Sequence, residues 1–299
     1  MPHAIWVREL RAPFLLLPVI FVPVGLALAW SRGYFDPLSA LLTLAGVVSL
    51  HASVNVLNDY FDYRSGIDLA TTPTPFSGGS TMLPRKLMTP VSVLTMGALL
   101  LGFGVAIGSY FVYRFSFDPL LTGILVIAAL SVVSYSSVTS KLGIGELVVG
   151  LNFGPLLLLG TYYVQTRMVS LEPIIVGLPL GILTAGILYV NEFPDTDADQ
   201  GRGRNHLVAR WGKASAANRF NFLMAAVYII PVVGVFARIV SPVALLSLVT
   251  LPKARTTSRL LRQNYDKVTE LIPGMASMVM TTLFTGMALF VGYLLLGLI

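Results

Sequence analysis

The chain has 299 residues, of which 55% are hydrophobic and 11% are charged, and it contains no cysteine. This apolar fraction exceeds what a soluble core of this size holds, so the composition excludes an ordinary soluble protein and favours an integral membrane protein. The lack of cysteine excludes disulfides, thiolate metal sites and cysteine nucleophiles. The net charge of +6 could suggest a nucleic-acid partner, but its placement along the chain indicates membrane topology, and no nucleic-acid partner is expected.

Nine apolar segments follow one another along the chain. They cover residues 12–31, 37–57, 90–113, 117–136, 145–165, 172–193, 217–237, 240–252 and 271–298. Runs of roughly 20 apolar residues cross a bilayer as helices, so we predict an all-α polytopic membrane protein with nine transmembrane helices in one domain, residues 1–299. The first segment lacks a small-residue cleavage pattern, so it is expected to stay as a span rather than be removed as a signal peptide.

The basic residues are unevenly divided between the two sides of the predicted bundle. With nine spans, 16 of the 20 lysines and arginines share the side of the N-terminus, and the other side has Arg32, Arg114, Arg167 and Arg238. Because basic residues are enriched in cytoplasmic loops, this pattern predicts a protein of the cytoplasmic membrane with its N-terminus in the cytoplasm and its C-terminus outside.

Two similar acidic segments follow the second and sixth apolar runs. Residues 58–62 have the sequence Asn-Asp-Tyr-Phe-Asp and residues 191–195 have Asn-Glu-Phe-Pro-Asp, so both follow the order Asn, acid, aromatic, any residue, Asp. Seven of the 14 acidic residues lie in or just after these segments. The predicted topology places both in the cytoplasmic segments 58–89 and 191–213.

Helical spacing arranges the polar residues of these two helices into stripes. His51, Asn55, Asn58 or Asp59, and Asp62 share one face of the second helix, and Thr184, Asn191 and Asp195 share one face of the sixth. Polar stripes on spanning helices face the bundle interior or a water-filled cavity rather than lipid. We therefore expect a central cavity that opens to the cytoplasmic side, with His51, Asn55, Asn152 and Asp197 as further lining residues. His51 alone is more typical of a hydrogen-bonded core residue than of a catalytic base.

Carboxylates that converge in this way repel one another unless cations lie between them. All-oxygen ligands select magnesium rather than zinc, and protein-bound magnesium usually keeps positions open for substrate phosphates. The candidate magnesium ligands are Asn58, Asp59, Asp62, Asp68, Asn191, Asp195 and Asp199. Basic loop residues would complete the neutralisation of a diphosphate, with Arg64, Lys86, Lys141 and Arg204 as the candidates beside Arg85 and Arg202.

A phosphate-binding site at the mouth of a membrane cavity favours an amphiphilic substrate with a diphosphate head and a hydrocarbon tail. Magnesium would neutralise the leaving diphosphate, and aromatic side chains would stabilise an allylic cation. The candidate aromatic residues are Tyr60, Phe61, Tyr135, Phe153, Tyr162, Tyr163 and Phe193. The alternative from another class is an ion-coupled transporter built from parallel repeats, although carriers place their ion sites near the membrane midplane rather than at helix ends.

These segments resemble the two aspartate-rich motifs of the UbiA superfamily of intramembrane prenyltransferases, which has nine transmembrane helices. The first family motif, NDxxDxxxD, is matched by Asn58, Asp59 and Asp62, but its last position is Gly66, and Asp68 follows two residues later. The second motif, DxxxD, is matched by Asp195 and Asp199.

Within the superfamily the chain looks most like the menaquinone-pathway branch, the 1,4-dihydroxy-2-naphthoate prenyltransferases. Residues 58–68, 78–80 and 203–212 resemble segments of that branch, including the glycine and the displaced aspartate, although Asn205 and His206 differ from it. An archaeal branch, which makes digeranylgeranylglyceryl phosphate, has a similar first motif but continues into an Arg-Pro-rich loop that this sequence lacks.

The resemblance implies a magnesium-dependent transfer of a polyprenyl group, for example from geranylgeranyl diphosphate, to an aromatic acceptor in the lipid bilayer. The implied acceptor is 1,4-dihydroxy-2-naphthoate, which loses its carboxylate. Asp59, Asp62 and Asp68 would hold one Mg²⁺ and Asp195 with Asp199 a second, supported by Asn58 and Asn191. Asp62 and Asp195 are the expected catalytic carboxylates, and Tyr135 is a candidate for deprotonating or orienting the acceptor ring.

Overall fold

A computed structural model describes residues 2–299, without the side chains of Pro2, His3, Ser136 and Ser137. The described residues form helices joined by turns and loops, and none of them forms a β-strand. In chain order the α-helices are α1 (Pro2–Glu9), α2 (Leu16–Trp30), α3 (Pro37–Ser65), α4 (Ile67–Ala70), α5 (Pro90–Arg114), α6 (Pro119–Ser134), α7 (Ser140–Leu142), α8 (Gly145–Leu151), α9 (Leu157–Thr166), α10 (Leu171–Gln200), α11 (Leu207–Trp211), α12 (Lys213–Phe236), α13 (Leu251–Asn264) and α14 (Val268–Leu296). The 3-10 helices Ala12–Leu15 and Pro242–Thr250 and the π-helical turns Tyr135–Thr139 and Asn152–Leu156 complete the fold.

Seven helical stretches of the described chain are long and apolar enough to cross a membrane. They correspond to the predicted first, second, third, fifth, sixth, seventh and ninth segments. The predicted fourth segment is the shorter apolar helix α6, and the eighth is the 3-10 helix Pro242–Thr250, which continues directly into α13. The molecule is therefore an all-helical, multi-pass membrane protein.

Two of the long helices extend beyond the ends that the hydrophobic pattern predicts. Helix α3 continues past residue 57 to Ser65, because residues 58–65 contain no helix breaker, and it ends at Gly66 with a left-handed φ of 79°. Helix α10 continues past residue 193 to Gln200 despite an internal proline. Both acidic segments therefore lie on terminal helical turns, as the helical spacing of their polar residues predicts, although the apolar runs themselves end earlier.

Residues 251–264 form helix α13. The eighth apolar segment ends at residue 252, so a loop is expected over residues 253–264. The buried face of α13 consists of Ala254, Thr257, Ser258 and Leu261. Because the remaining faces of this short amphipathic helix are polar and basic, a search for continuous apolar runs does not detect it.

Polar caps followed by proline start several of the spanning helices. Asp36 precedes Pro37 and accepts a hydrogen bond from the backbone of Leu38, which caps α3. Thr89 forms a capping box ahead of Pro90, and Asp118 caps α6 ahead of Pro119. Each cap satisfies backbone N–H groups that a helix leaves free, and proline suits the first turn.

Polar contacts at the end of the bundle remote from the acidic segments join several helices. The buried Glu172, in the first turn of α10, pairs with Arg32 at 2.7 Å. The same carboxylate accepts hydrogen bonds from the backbone of Ser241 and from the hydroxyl of Tyr293, both at 2.9 Å. The ends of α2, α10, α14 and the loop after α12 therefore meet around one buried carboxylate.

Glycines allow the chain from α8 to α9 to pack backbone to backbone on α10. A Cβ atom added to Gly177 would lie 2.8 Å from the carbonyl oxygen of Gly154, and one added to Gly154 would lie 2.7 Å from the Cα of Gly181. Small residues permit this close helix contact in membranes.

We predict that Gly177→Ala lowers the unfolding midpoint of the detergent-solubilised protein, because the added methyl group must force α10 away from the Gly154 carbonyl. Overpacking of this kind costs about 1–3 kcal/mol. Gly123→Ala on α6 is the matched control, since no atom lies within 4 Å of its added Cβ. Thermal unfolding followed by size-exclusion chromatography measures both, and equal midpoints for the two variants would contradict the packing argument.

Candidate functional site

A polar cavity of about 1260 Å³, including its open mouth, lies between the ends of α3 and α10. Its lining includes Asn55, Asn58 and Asp62 from α3 and Asn191, Asp195 and Asp199 from α10. Because each set is spaced by three or four residues, each occupies one face of its helix. The two polar stripes predicted from the sequence thus line the same cavity.

The loop Gly78-Gly79-Ser80 brings Asp59 and Asp68 together. The backbone N–H of Ser80 donates to Asp59 Oδ2 at 2.7 Å. A Cβ atom on Gly79 would lie 3.2 Å from an oxygen of both carboxylates, and the φ of Gly79 is 70°, so this position requires glycine on two grounds. Burial and the nearby Asp62 and Asp59 carboxylates raise the pKa of Asp68 to about 8.

The two asparagines of the motifs donate hydrogen bonds to different kinds of acceptor. Asn58 donates from Nδ2 to Asp62 Oδ2 at 2.9 Å, within α3. Asn191 donates to the backbone carbonyl of Phe76 at 2.9 Å and so connects α10 to the loop that follows α4. The amide groups thereby orient one carboxylate and one loop beside the cavity.

Arg204 joins the two acidic clusters. Its guanidinium forms ion pairs with Asp62 of α3 and with Asp199 of α10, the latter at 3.5 Å, and its side chain is 14% exposed. Burial by itself would lower the pKa of Arg204, but the two carboxylates outweigh this effect and raise it. In this arrangement an arginine supplies the cation that the converging carboxylates require.

A second polar network lies beside Arg204 and involves residues that the sequence analysis did not select. His206 contacts Glu192 through Nδ1 at 3.3 Å and Asp199 through Nε2 at 3.4 Å. Burial opposes the charged imidazole, but these two carboxylates raise the pKa of His206 to about 9. The buried Glu146 accepts a hydrogen bond from the backbone of Leu207 at 2.8 Å, so the loop carrying Arg204 is fastened on both sides.

Of the four basic residues selected as diphosphate ligands, Arg204 lines the polar cavity and the other three are exposed elsewhere. Arg64 lies over the ring of Tyr60, and Lys86 and Lys141 point to the surface. Arg11, which the sequence analysis assigned to topology alone, does line the cavity. Its place just before the first apolar run is equally typical of a topology residue, so no sequence signal distinguishes it.

An apolar cavity of about 1190 Å³ adjoins the polar one. It is open on one side, its volume includes that opening, and its walls are α3, α5, α6 and the stretch from α8 to α9. The residues that line both cavities are His51, Val54, Tyr135, Val149 and Phe153. We call this set the shared ring. Tyr135 and Phe153 lie in the two π-helical turns, a local widening that recurs at functional sites.

The remaining predicted lining residues have diverse surroundings. The ring of His51 packs edge-on against Phe153 at 4.6 Å, and its Nδ1 has no hydrogen-bond partner. Asn55 donates to the carbonyl of Leu10 at 3.1 Å at the polar cavity. Asn152 donates to Ser131 Oγ at 3.0 Å and lines the apolar cavity.

Asp197 lies outside the cavity. Its side chain is 86% exposed and its Oδ2 is 3.3 Å from Lys213 Nζ. Because α10 continues through this region, a residue two positions from both Asp195 and Asp199 falls on the opposite face of the helix. Among the aromatic candidates, Tyr135 and Phe153 line the cavities; Tyr60, Phe61, Tyr162, Tyr163 and Phe193 do not.

The donor set fits a hard divalent cation. Carboxylate and amide side chains line one cavity, and Oδ1 of Asp195 is buried there without a hydrogen-bond partner. Oδ1 of Asp59, which lies beside Gly79 and is not part of the cavity lining, is also buried without a partner. Unpartnered buried carboxylate oxygens are costly, and a cation would satisfy them. In the described part of the chain no three acidic or histidine side chains lie close enough together to hold a metal ion, and Arg204 pairs with one carboxylate from each cluster.

Comparison with known proteins identifies the family. The sequence model of the UbiA prenyltransferase family matches residues 15–275. The chain is 30% identical over 217 residues to the 1,4-dihydroxy-2-naphthoate octaprenyltransferase of Escherichia coli, covering 71% of this chain and 70% of that protein.

Two solved structures share the fold. An apo UbiA homologue from Aeropyrum pernix matches with a TM-score of 0.70 at 18% identity, over 93% of this chain and 98% of that one. A UbiA homologue from Archaeoglobus fulgidus, solved with DMAPP and Mg²⁺, matches with a TM-score of 0.56 at 14% identity, over 96% and 99%. The protein therefore belongs to the UbiA prenyltransferase family and is an intramembrane enzyme of that family.

Proposed function

We propose that this enzyme transfers a polyprenyl group from a polyprenyl diphosphate to 1,4-dihydroxy-2-naphthoate. The observation that carries this proposal is the junction of two contrasting cavities at the shared ring. A prenyl diphosphate needs a polar, cation-binding site for its head beside an apolar space for its tail, and these lie next to each other here. The name of the Escherichia coli relative supports the choice of acceptor.

The same proposal assigns the acidic clusters to magnesium. Asp59, Asp62 and Asp68 would hold one ion and Asp195 with Asp199 a second, with Asn58 and Asn191 orienting these ligands. Bound Mg²⁺ would neutralise the diphosphate as negative charge develops on its bridging oxygen. The Mg²⁺ bound by the Archaeoglobus fulgidus homologue and the unpartnered oxygens of Asp59 and Asp195 support this assignment.

The proposed reaction is a substitution on the aromatic ring that involves no net oxidation or reduction, so it needs no oxidant. The bond between the allylic carbon and the bridging oxygen breaks, and its electron pair leaves with the diphosphate. The ring carbon that carries the carboxylate forms a bond to the allylic carbon. The carboxylate then leaves as carbon dioxide, and the electron pair of its bond restores the aromatic ring.

The chain's own residues would contribute positioning and charge. Arg204, at the mouth of the cavity, would exchange its carboxylate partners for the diphosphate. The shared ring would separate the developing allylic cation from water, with the faces of Tyr135 and Phe153 available for cation–π contact. We assign the Tyr135 hydroxyl the role of orienting the acceptor's ring hydroxyl.

We also propose that all nine segments cross the cytoplasmic membrane, with the N-terminus and both acidic segments in the cytoplasm and the polar cavity opening there. The distribution of 16 of 20 basic residues supports this orientation. Helix α6 with the π-turn after it would form the fourth span and Pro242–Thr250 the eighth, with the basic residues of α13 on the cytoplasmic side.

The acceptor is tested with purified protein, Mg²⁺ and geranylgeranyl diphosphate, offering 1,4-dihydroxy-2-naphthoate and geranylgeranylglyceryl phosphate separately. We expect a prenylated, decarboxylated product from the naphthoate alone, and its loss with EDTA. Product from the glycerol phosphate alone would retain prenyl transfer and overturn the acceptor. A response in proteoliposomes to an ion gradient, without prenyl diphosphate turnover, would instead favour the transporter.

We predict that Asp62→Asn and Asp195→Asn each lower kcat/KM for prenyl transfer at least about 100-fold, because each removes an anionic metal ligand that acts on the leaving diphosphate. The matched control is Asp197→Asn, whose exposed carboxylate faces Lys213 outside the cavity, and we expect it to keep activity within about twofold of the parent. Steady-state kinetics with radiolabelled geranylgeranyl diphosphate give all three values. Comparable losses in the three variants would contradict the assignment of the clusters.

We predict that Tyr135→Phe lowers kcat by about 10-fold or more while it leaves the thermal stability of the protein unchanged, because it removes a hydroxyl that orients the acceptor and keeps the ring in place. Single-turnover measurements with saturating prenyl diphosphate isolate this effect. Unimpaired turnover would remove the hydroxyl from the mechanism and leave Tyr135 as a wall of the shared ring.

A further inference from the structure

We infer that Arg11 binds the carboxylate of the aromatic acceptor and so selects aromatic acids as acceptors. This inference rests on the proposed function and adds a binding residue that the aspartate-rich motifs do not contain. The observations that carry it are the left-handed backbone of Arg11, its place in the polar cavity, the lack of a carboxylate in direct contact with it and the apolar wall beside it.

The backbone of Arg11 adopts a left-handed conformation, with φ 52° and ψ 48°, at a residue that is not glycine. Such a conformation persists when the surrounding contacts require it, and it concentrates at functional sites. The two residues that precede Arg11 are held in place by hydrogen bonds. Asn55 donates to the carbonyl of Leu10 at 3.1 Å, and Ser80 Oγ donates to the buried Glu9 at 2.6 Å.

These contacts direct the Arg11 side chain into the polar cavity. The guanidinium lies 5.0 Å from the centre of the Phe14 ring and donates a long hydrogen bond, 3.4 Å, to the carbonyl of Phe76. Among the described side chains, no carboxylate oxygen lies within 4.0 Å of it. Arg204, by contrast, already has two carboxylate partners. Arg11 is thus a cavity-facing guanidinium whose two-pronged donor edge remains available to an anion.

The backbone beside Arg11 lies towards the inner end of the polar cavity. The carbonyl of Leu10 contacts Asn55, which lies seven residues, or about 10 Å, before Asp62 along α3. His51, one turn further, belongs to the shared ring. An aromatic acid bound by the Arg11 side chain could therefore extend towards the shared ring, where the reacting carbons of both substrates must meet.

The cavity wall next to Arg11 suits an aromatic ring. Phe14 and Leu17, from the 3-10 helix and the start of α2, line the polar cavity beside the guanidinium. A planar acid could place its carboxylate on Arg11 and its ring against these apolar side chains. An inorganic or lipid phosphate at the same level would lack this second contact, so the observations favour an aromatic carboxylate.

The test measures binding rather than turnover. Fluorescent 1-hydroxy-2-naphthoate and 1-naphthol, which lacks the carboxylate, are titrated separately into detergent-purified protein with Mg²⁺. The variants are Arg11→Asn, since asparagine tolerates the left-handed backbone, and Arg11→Lys, which keeps the positive charge but lacks the planar guanidinium with its paired N–H donors. Arg8→Asn, an exposed arginine one turn earlier, is the matched control.

We expect Arg11→Asn to weaken binding of the hydroxynaphthoate by about 10-fold or more and to leave naphthol binding within about twofold. Arg11→Lys should fall between the parent and Arg11→Asn, and Arg8→Asn should match the parent. Thermal unfolding confirms that each variant is folded.

An unchanged hydroxynaphthoate affinity in Arg11→Asn would overturn the inference. So would a loss confined to a non-cleavable analogue, geranylgeranyl thiolodiphosphate, because Arg11 would then serve the diphosphate. Either result leaves prenyl transfer by the parent protein intact, whereas failure of the proposed function would appear as no transfer to the naphthoate by the parent itself.

Discussion

The buried carboxylates at the ends of α3 and α10 repel one another, so the surrounding loops must supply positive charge close to them. Two helix ends direct Asp62 and Asp199 at one cavity, and the loop at Gly79 lies between the carboxylates of Asp59 and Asp68. Carboxylates this close repel one another unless cations lie between them. The loop after α10 places Arg204 between Asp62 and Asp199, whereas burial and the neighbouring Asp62 and Asp59 carboxylates raise the pKa of Asp68.

The loops around the cavity therefore do more than connect helices: they place hydrogen-bond donors and cations next to the carboxylates. Glycine at position 79 lets the backbone approach two carboxylates, and the N–H of Ser80 binds one of them. Glu146 and His206 secure the opposite loop, which carries Arg204. The N-terminal segment contributes Arg11 to the same cavity. Cations from two distant parts of the chain thus line one cavity together with the acidic residues.

The helical architecture was predictable because apolar runs of sufficient length have few alternatives to crossing a bilayer. The polar stripes of α3 and α10 followed from helical periodicity, and the structure does place Asn58, Asp62, Asn191 and Asp195 on one cavity. Helix ends were less accessible to sequence reasoning. Because α10 extends to Gln200, Asp197 lies on its outer face, although its neighbours in the sequence line the cavity.

Residues that reach the site through tertiary packing could not be found from the sequence. Arg11, Glu9 and Glu146 are far from the aspartate-rich segments in the chain, and each sits in a context that has an ordinary explanation. Arg11 resembles a topology residue, and Glu146 resembles an acidic residue in the first turn of a helix. Conversely, Arg64 lies next to the first motif but extends away from the cavity, because its helical position faces outward.

The two ends of the bundle are held together by different kinds of contact, and the carboxylate of Glu172 lies at one of them. At its end, α2, α10, α14 and the loop after α12 are cross-linked by contacts that no substrate would replace. At the other end, α3 and α10 are joined through Arg204, whose partners are the same carboxylates that a ligand would engage. A ligand that took over the partners of Arg204 would therefore remove side-chain links at this end alone, and the contacts around Glu172 would continue to hold α2, α10 and α14 together.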